Sequence, residues 1–162
     1  MKKGALQIII TVLLGISIAC TLAFIIGSSL LNVEESTAQS AGAYEVVKPI
    51  AEFFTGKDNF PIEVFRNCAH FVEYFMFGLE VTLLFAVLNY FKFKTAIMVL
   101  FFGLFVAVAD EAIQIVTGRG PEILDVLIDY GGYLLAVAIV VLIKFVNFLR
   151  SIDFDKPKEA KA

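Results

Sequence analysis

Carboxylates and other polar side chains dominate a short segment in the second half of the chain. Two long apolar runs, 95–108 and 123–149, flank and partly overlap it. Its polar residues are Asp110, Glu111, Gln114, Arg119, Asp125 and Asp129. Carboxylates can transfer protons and can bind hard divalent cations. A charge at the centre of a bilayer costs about 2.5–3.5 kcal/mol on insertion scales, so ionisable residues within a membrane segment are a functional-site hypothesis. We therefore expect the other elements of the chain to position this segment.

The composition is typical of an integral membrane protein. Of the 162 residues, 59% are hydrophobic and only 18% are charged, and the mean hydropathy is +0.85. A soluble domain of this length would need a polar exterior that is not present. A helix needs about 20 apolar residues to cross the hydrocarbon core, and the long apolar blocks are 5–31, 68–91, 95–117 and 123–149. The sequence predicts an all-α polytopic protein, a four-transmembrane-helix bundle forming a single domain over 1–150.

The distribution of basic residues predicts how the bundle lies in the membrane. Lysines precede the first block, separate the second from the third and follow the fourth, whereas the other two connections hold few basic residues. The positive-inside rule therefore places both termini in the cytoplasm. It makes 32–65 an extracytoplasmic connection and 151–162 a cytoplasmic tail, and it places the acidic segment near the outer leaflet.

The connection 32–65 is predicted to contain a short amphipathic helix lying on the outer leaflet. Apolar residues recur at helical spacing between Ala43 and Phe54, with charged residues on the other faces. Pro49 is expected to kink this helix or to cut it short, because proline lacks the amide hydrogen that a helix interior uses. Asn59 is a candidate N-cap for the following helix.

Polar residues share one face in each of the last three predicted helices. These faces hold, in chain order, His70, Glu73 and Glu80, then Asp110 and Gln114, then Asp125 and Asp129. Spacings of three, four or seven residues place side chains on one side of a helix. We expect the polar groups to converge at the outer end of the bundle, where Arg119 is predicted to pair with one or more of Asp110, Glu111 and Asp125.

Small residues continue these faces toward the middle of the membrane. They are Gly103 and Ala107 in the third helix and Gly132 and Ala136 in the fourth. The first helix also has small residues, which are Gly4, Gly15, Ser17, Gly27, Ser28 and Ser29. In a bilayer, small residues let helix backbones approach closely. The sequence therefore predicts tight helix contacts at these positions.

Spaced motifs in a fixed order carry a resemblance to a known family. They are RNCAHFVEY at 66–74, DEAIQ at 110–114, GR at 118–119, and DVLID at 125–129 followed by Gly132. This pattern resembles that of the VanZ-like family of bacterial integral membrane proteins, which runs R-K-x-x-H-F-x-E-Y, D-E-x-x-Q, G-R and D-V-x-x-(D/N)-x-x-G. The chain departs from it at Asn67, where lysine is common, at Ile113, where histidine is frequent, and at Ala136, where a second glycine often occurs.

The resemblance implies a multi-pass protein of the bacterial plasma membrane, in a family associated with resistance to the glycopeptide antibiotic teicoplanin. It does not disclose a biochemical mechanism. The functional cluster that it indicates, for binding or for catalysis, consists of Arg66, His70, Glu73, Tyr74, Asp110, Glu111, Gln114, Arg119, Asp125 and Asp129.

The residues leave several functions of this cluster open. It can be an interhelical polar network that only fixes helix register. It can bind a cell-envelope precursor, a lipid headgroup or a glycopeptide at the outer leaflet. It can belong to an enzyme acting on a lipid-linked envelope substrate, with His70 as general acid or base. A proton or ion path, suggested mainly by Glu80, is a further alternative.

The charge balance of the cluster bears on cofactors and partners. Its carboxylates outnumber its basic groups, and burying the surplus is costly unless carboxylates share protons or a cation binds. No firm cofactor and no metal motif are predicted, but a divalent cation held by carboxylate oxygens remains open. The chain has no zinc-type Cys/His spacing, phosphate-binding glycine loop or basic aromatic patch. The lipid bilayer is the expected partner, and nucleic acid is not.

Overall fold

The computed structural model describes residues 3–56, 60–90, 92–120 and 122–151, and within these ranges it contains five helices and no strand. The helices are α1 (Lys3–Ser29), α2 (Val33–Thr55), α3 (Ile62–Val87), α4 (Phe93–Val116) and α5 (Ile123–Ser151). All but α2 are long and apolar enough to cross a membrane. The predicted all-α membrane bundle is confirmed. The tail from 152 onward lies outside the described residues.

Helix α2 is longer than the predicted amphipathic segment and continues through Pro49. At its start, the Asn32 side chain accepts from the Glu35 amide and the Glu35 carboxylate accepts from the Asn32 amide, which forms a capping box. At its end, Gly56 adopts a left-handed conformation with φ of 64°. Pro49 lies inside the helix, so it does not cut the helix short.

Helix α3 begins earlier than the apolar block 68–91 suggested and also ends earlier. Pro61 is extended and precedes the first helical residue, Ile62. The expected N-cap, Asn59, lies outside the described residues. The early start is important for the site because it places Arg66 and His70 within the first turns of a regular helix, on the same face as the residues that follow.

The tightest helix contact is between α3 and α5, where glycines replace side chains at the interface. A Cβ atom on Gly132 would collide with the backbone carbonyl of Phe71, and one on Gly78 would lie 2.8 Å from the carbonyl oxygen of Tyr133. The Tyr133 ring fills the space above Gly103 of α4, and its hydroxyl donates to the Val99 carbonyl at 2.9 Å. The predicted contacts of Gly103 and Gly132 are therefore confirmed.

Helix α1 packs differently, against α3 and α4. Its glycines at 4, 15 and 27 have no atom of another element near the position of a Cβ, so the prediction of close contacts there is wrong. Apolar side chains of α1 pack into the core, with Ile25 buried and Ile18 and Leu22 against it. The hydroxyls of Ser17 and Thr21 add hydrogen bonds to Glu80 Oε1 at 2.6 and 3.2 Å. These hydrogen bonds connect α1 to α3 through Glu80.

Candidate functional site

The predicted polar residues converge at one end of the bundle, which we call the polar end. It is formed by the last turns of α1 and α4, the first turns of α2, α3 and α5, and the turn between α4 and α5. Gly118 makes that turn possible, because its φ of 85° is one that side chains rarely adopt.

Three metal-ligating side chains from three helices meet at the polar end. Ligand atoms of His70 (α3), Asp110 (α4) and Asp129 (α5) all lie within 4.8 Å of one another. The Nδ1 atom of His70 is 3.5 Å from Oδ1 of Asp129. Asp110 and Asp129 are 4% and 2% exposed, whereas His70 is half-buried. We call these residues the His–Asp cluster.

The two aspartates of this cluster have different surroundings. Asp110 accepts hydrogen bonds from the Ser29 hydroxyl of α1 and, at 3.1 Å, from the Gln114 side chain one turn later. By contrast, Oδ1 of Asp129 and Nδ1 of His70 are buried and make no hydrogen bond with the described residues, although they are close enough for an ion pair. The hydroxyl of Tyr74 lies near Asp110, but it is also buried without a hydrogen bond of normal geometry among those residues.

Arg119 does not make the carboxylate pair that the sequence predicted. Its Nη1 donates to the Ser36 hydroxyl of α2 at 2.9 Å, and its Nη2 donates to the Ser28 carbonyl of α1 at 3.0 Å. Among the described residues it has no carboxylate within ion-pair distance. Burial lowers the pKa of Arg119 from its ordinary value, and the Asp110 carboxylate opposes that change. The Arg119 guanidinium therefore connects α1 to α2 through hydrogen bonds. Among the described residues, no direct ion pair neutralises its positive charge.

Glu111 has a local structural contact. It is 9% exposed, and its Oε1 accepts from the backbone amide of Glu122 at 2.7 Å. This bond closes the turn between α4 and α5, because it connects the last turns of one helix to the residue before the other. The structure thus separates Glu111 from the His–Asp cluster.

A cavity of about 620 Å³ opens between α1, α2 and α3 beside the cluster. Its polar lining includes Arg66, His70, Glu73, Asp110, Gln114 and Arg119. Its apolar lining includes Phe24, Ile25, Phe65, Val72 and Met76. We call it the α1–α3 cavity. A smaller cavity of about 190 Å³ shares Arg66, Gln114 and Arg119 with it and includes Asp125.

The structure therefore divides the ten predicted site residues by position. Six line the α1–α3 cavity, Tyr74 and Asp129 are buried in the bundle, Asp125 lines the smaller cavity, and Glu111 closes the turn. Sequence reasoning named Ser28 and Ser29 only as small residues for helix contact, not as site residues, and it missed Ser36. The available signal for Ser28 and Ser29 was their position as a polar pair at the end of a long apolar block. The spacing of Ser36 gave no indication of its contact with Arg119.

These features define a helical membrane protein with a buried His–Asp cluster beside an amphipathic cavity. A family profile described as VanZ/LLP1 matches residues 12–144. The chain belongs to this family, as its spaced motifs predicted. The comparison with curated proteins found no match, and neither did the comparison with solved structures.

Proposed function

We propose that this protein binds an anionic amphiphile, a phosphate-bearing lipid or lipid-linked cell-envelope precursor, in the α1–α3 cavity. We further propose that this binding contributes to glycopeptide resistance of the teicoplanin type in a bacterial plasma membrane. The observation that carries the proposal is the cavity itself, which combines two guanidinium groups with apolar walls.

Two guanidinium groups provide a place for an anionic group at the polar end of the cavity, beside the Glu73 and Asp110 carboxylates that also line it. Arg66 and Arg119 both line it, and among the residues described neither makes an ion pair. The planar guanidinium group is well suited to phosphate because it presents parallel N–H donors. The Nε of Arg119 is buried without a hydrogen-bond partner among those residues, and the contacts to Ser36 and Ser28 already hold the side chain in place.

The rest of the cavity favours an alkyl or prenyl chain. Side chains of Phe24, Val72 and Met76 line it farther from the arginines, on helices long enough to span a membrane. A volume of about 620 Å³ falls in the usual range for small-molecule sites, about 300–1,000 Å³. An amphiphile would match both halves of this lining.

A binding measurement with a matched control tests this proposal. Farnesyl phosphate represents the prenyl-linked precursors and dihexanoyl phosphatidylglycerol the glycerolipids, with farnesol as the uncharged comparison. We expect calorimetry on the purified full chain to show binding of at least one anionic probe and weaker binding of farnesol. Arg119→Gln should weaken anionic binding at least about tenfold, the effect of losing about 1.4 kcal/mol.

Arg150→Gln is the control, because this residue lies in the last turn of α5, at the other end of the bundle. It should bind like the wild type. Equal affinity of the wild type and Arg119→Gln for every anionic probe would contradict the proposal. Binding of teicoplanin in place of either lipid probe would favour the glycopeptide itself as the ligand.

The proposal also requires the polar end to face outward, as the positive-inside rule predicts. In a background without Cys20 and Cys68, Gly120→Cys should react with an impermeant thiol reagent on intact cells. Phe93→Cys, at the start of α4 and therefore at the other end of that helix, should react only after the cells are lysed. Labelling of Phe93→Cys on intact cells would reverse the orientation and place the cavity at the inner leaflet.

A further inference from the structure

We infer that His70, Asp110 and Asp129 form a binding site for a first-row divalent transition-metal ion, such as Zn²⁺ or Mn²⁺. This inference goes beyond the binding of an amphiphile and does not depend on it. It rests on the geometry of the His–Asp cluster and on two buried ligand atoms, His70 Nδ1 and Asp129 Oδ1, that make no hydrogen bond with the described residues.

The donor atoms are close enough to share one ion. Their mutual distances are within 4.8 Å, and donors around one ion at about 2.1 Å lie roughly 3–4 Å apart. Small side-chain rotations would therefore let all three donors bind one ion, with at least one further position left for water or another ligand. One imidazole and two carboxylates suit Zn²⁺ or Mn²⁺ better than Ca²⁺, which takes six to eight oxygen ligands.

Unpartnered atoms in the cluster indicate that something besides protein completes it. Asp129 is 2% exposed, yet its Oδ1 makes no hydrogen bond with the residues described, and His70 Nδ1 faces it at 3.5 Å without one. A buried carboxylate oxygen normally has a hydrogen-bond partner. Glu73 also lies near His70, so the surroundings are more negative still. A divalent cation would satisfy the free atoms and offset this charge.

The helices that carry the ligands hold them firmly. His70 precedes Phe71, whose carbonyl touches Gly132 of α5, and Asp129 lies one turn before that glycine. Asp110 is fixed by Ser29 and Gln114. His70 and Asp110 also line the α1–α3 cavity, so an ion could enter from there and additional ligands could reach it.

The test uses the purified full chain in detergent, without a histidine tag, after treatment with EDTA and desalting. Zn²⁺ or Mn²⁺ is added, excess ion is removed, and retained metal is measured by mass spectrometry. Co²⁺ absorption bands provide a second readout, since their intensity reports the coordination geometry. We expect one retained ion per chain. His70→Gln and Asp129→Asn should each reduce metal affinity at least about tenfold. Substitution of a residue that only contacts a metal ligand can already cause a loss of this size.

Glu80→Gln is the matched control. Like Asp129, Glu80 has a buried oxygen without a hydrogen-bond partner among the described residues, but it belongs to no group of metal-ligating side chains there. It should retain the ion as the wild type does. A wild-type chain that retains neither ion and gives no Co²⁺ bands overturns the inference, as does equal retention by wild type and Asp129→Asn. Because the wild-type measurements need no variant, misfolding of a variant cannot hide a negative result.

Discussion

The α3–α5 interface and the α1–α3 interface are built in opposite ways. Across α3 and α5, Gly78 and Gly132 bring backbones into contact, and the Tyr133 ring of α5 packs on Gly103 of α4. On α1, no glycine lies close to another helix; apolar side chains such as Ile25 pack into the core and hydroxyls bind Glu80 of α3, and a cavity of about 620 Å³ lies toward the polar end. We infer that the two interfaces have different roles. The tight α3–α5 interface fixes the positions of the His–Asp cluster residues, and the more open α1–α3 interface leaves space for a ligand.

The largest effect should come from filling the tight interface. Gly132→Ala places a methyl group against the Phe71 carbonyl, and overpacking of this kind typically costs 1–3 kcal/mol or more. Gly15→Ala is the control, because no atom of another element lies near that position. Thermal unfolding in detergent should show a clear loss of stability for Gly132→Ala and almost none for Gly15→Ala. Similar melting temperatures for the two variants would remove the distinction between the interfaces.

A second test separates function from stability within the His–Asp cluster. His70→Gln and Asp110→Asn keep side-chain size and hydrogen-bonding ability, so after EDTA treatment their melting temperatures should stay close to that of the EDTA-treated wild type. If the cluster only locks helices together, each orphaned buried group should instead cost about 1–3 kcal/mol. If the proposed role in glycopeptide resistance is correct, we expect both variants to lose it, measured as glycopeptide susceptibility of a host that depends on this protein. Function and stability falling together would favour the structural network.

A smaller effect is expected at the junction of α1 and α2. Arg119→Lys keeps the charge but cannot reproduce the fork that reaches both Ser36 and Ser28. We expect a loss of stability of about 1 kcal/mol, typical of one net hydrogen bond, and weaker binding of the anionic probe. Wild-type affinity in this variant would show that the cavity needs only a positive charge at this position.

The sequence predicted the fold better than it predicted the contacts of the site. Long apolar blocks determine membrane helices because the bilayer requires backbone groups to be satisfied internally, and helical spacing placed His70, Asp110 and Asp129 at one end. Spacing within a helix cannot show which neighbour a side chain meets. For that reason Arg119 was predicted to pair with carboxylates, whereas it contacts α1 and α2.

The native cysteines offer the most direct test of ligand binding in the α1–α3 cavity. Cys20 lines this cavity, whereas Cys68 lies on α3 outside the lining, and both are free and exposed. We would measure the rate at which N-ethylmaleimide modifies each cysteine in the purified protein, using whichever anionic probe binds in calorimetry. At a probe concentration about ten times its Kd, Cys20 should react about tenfold more slowly, because only the unliganded fraction is accessible. Cys68 should be unaffected, and farnesol at the same concentration should protect Cys20 less than the anionic probe does. An unchanged Cys20 rate, or equal slowing of both cysteines, would contradict binding in this cavity.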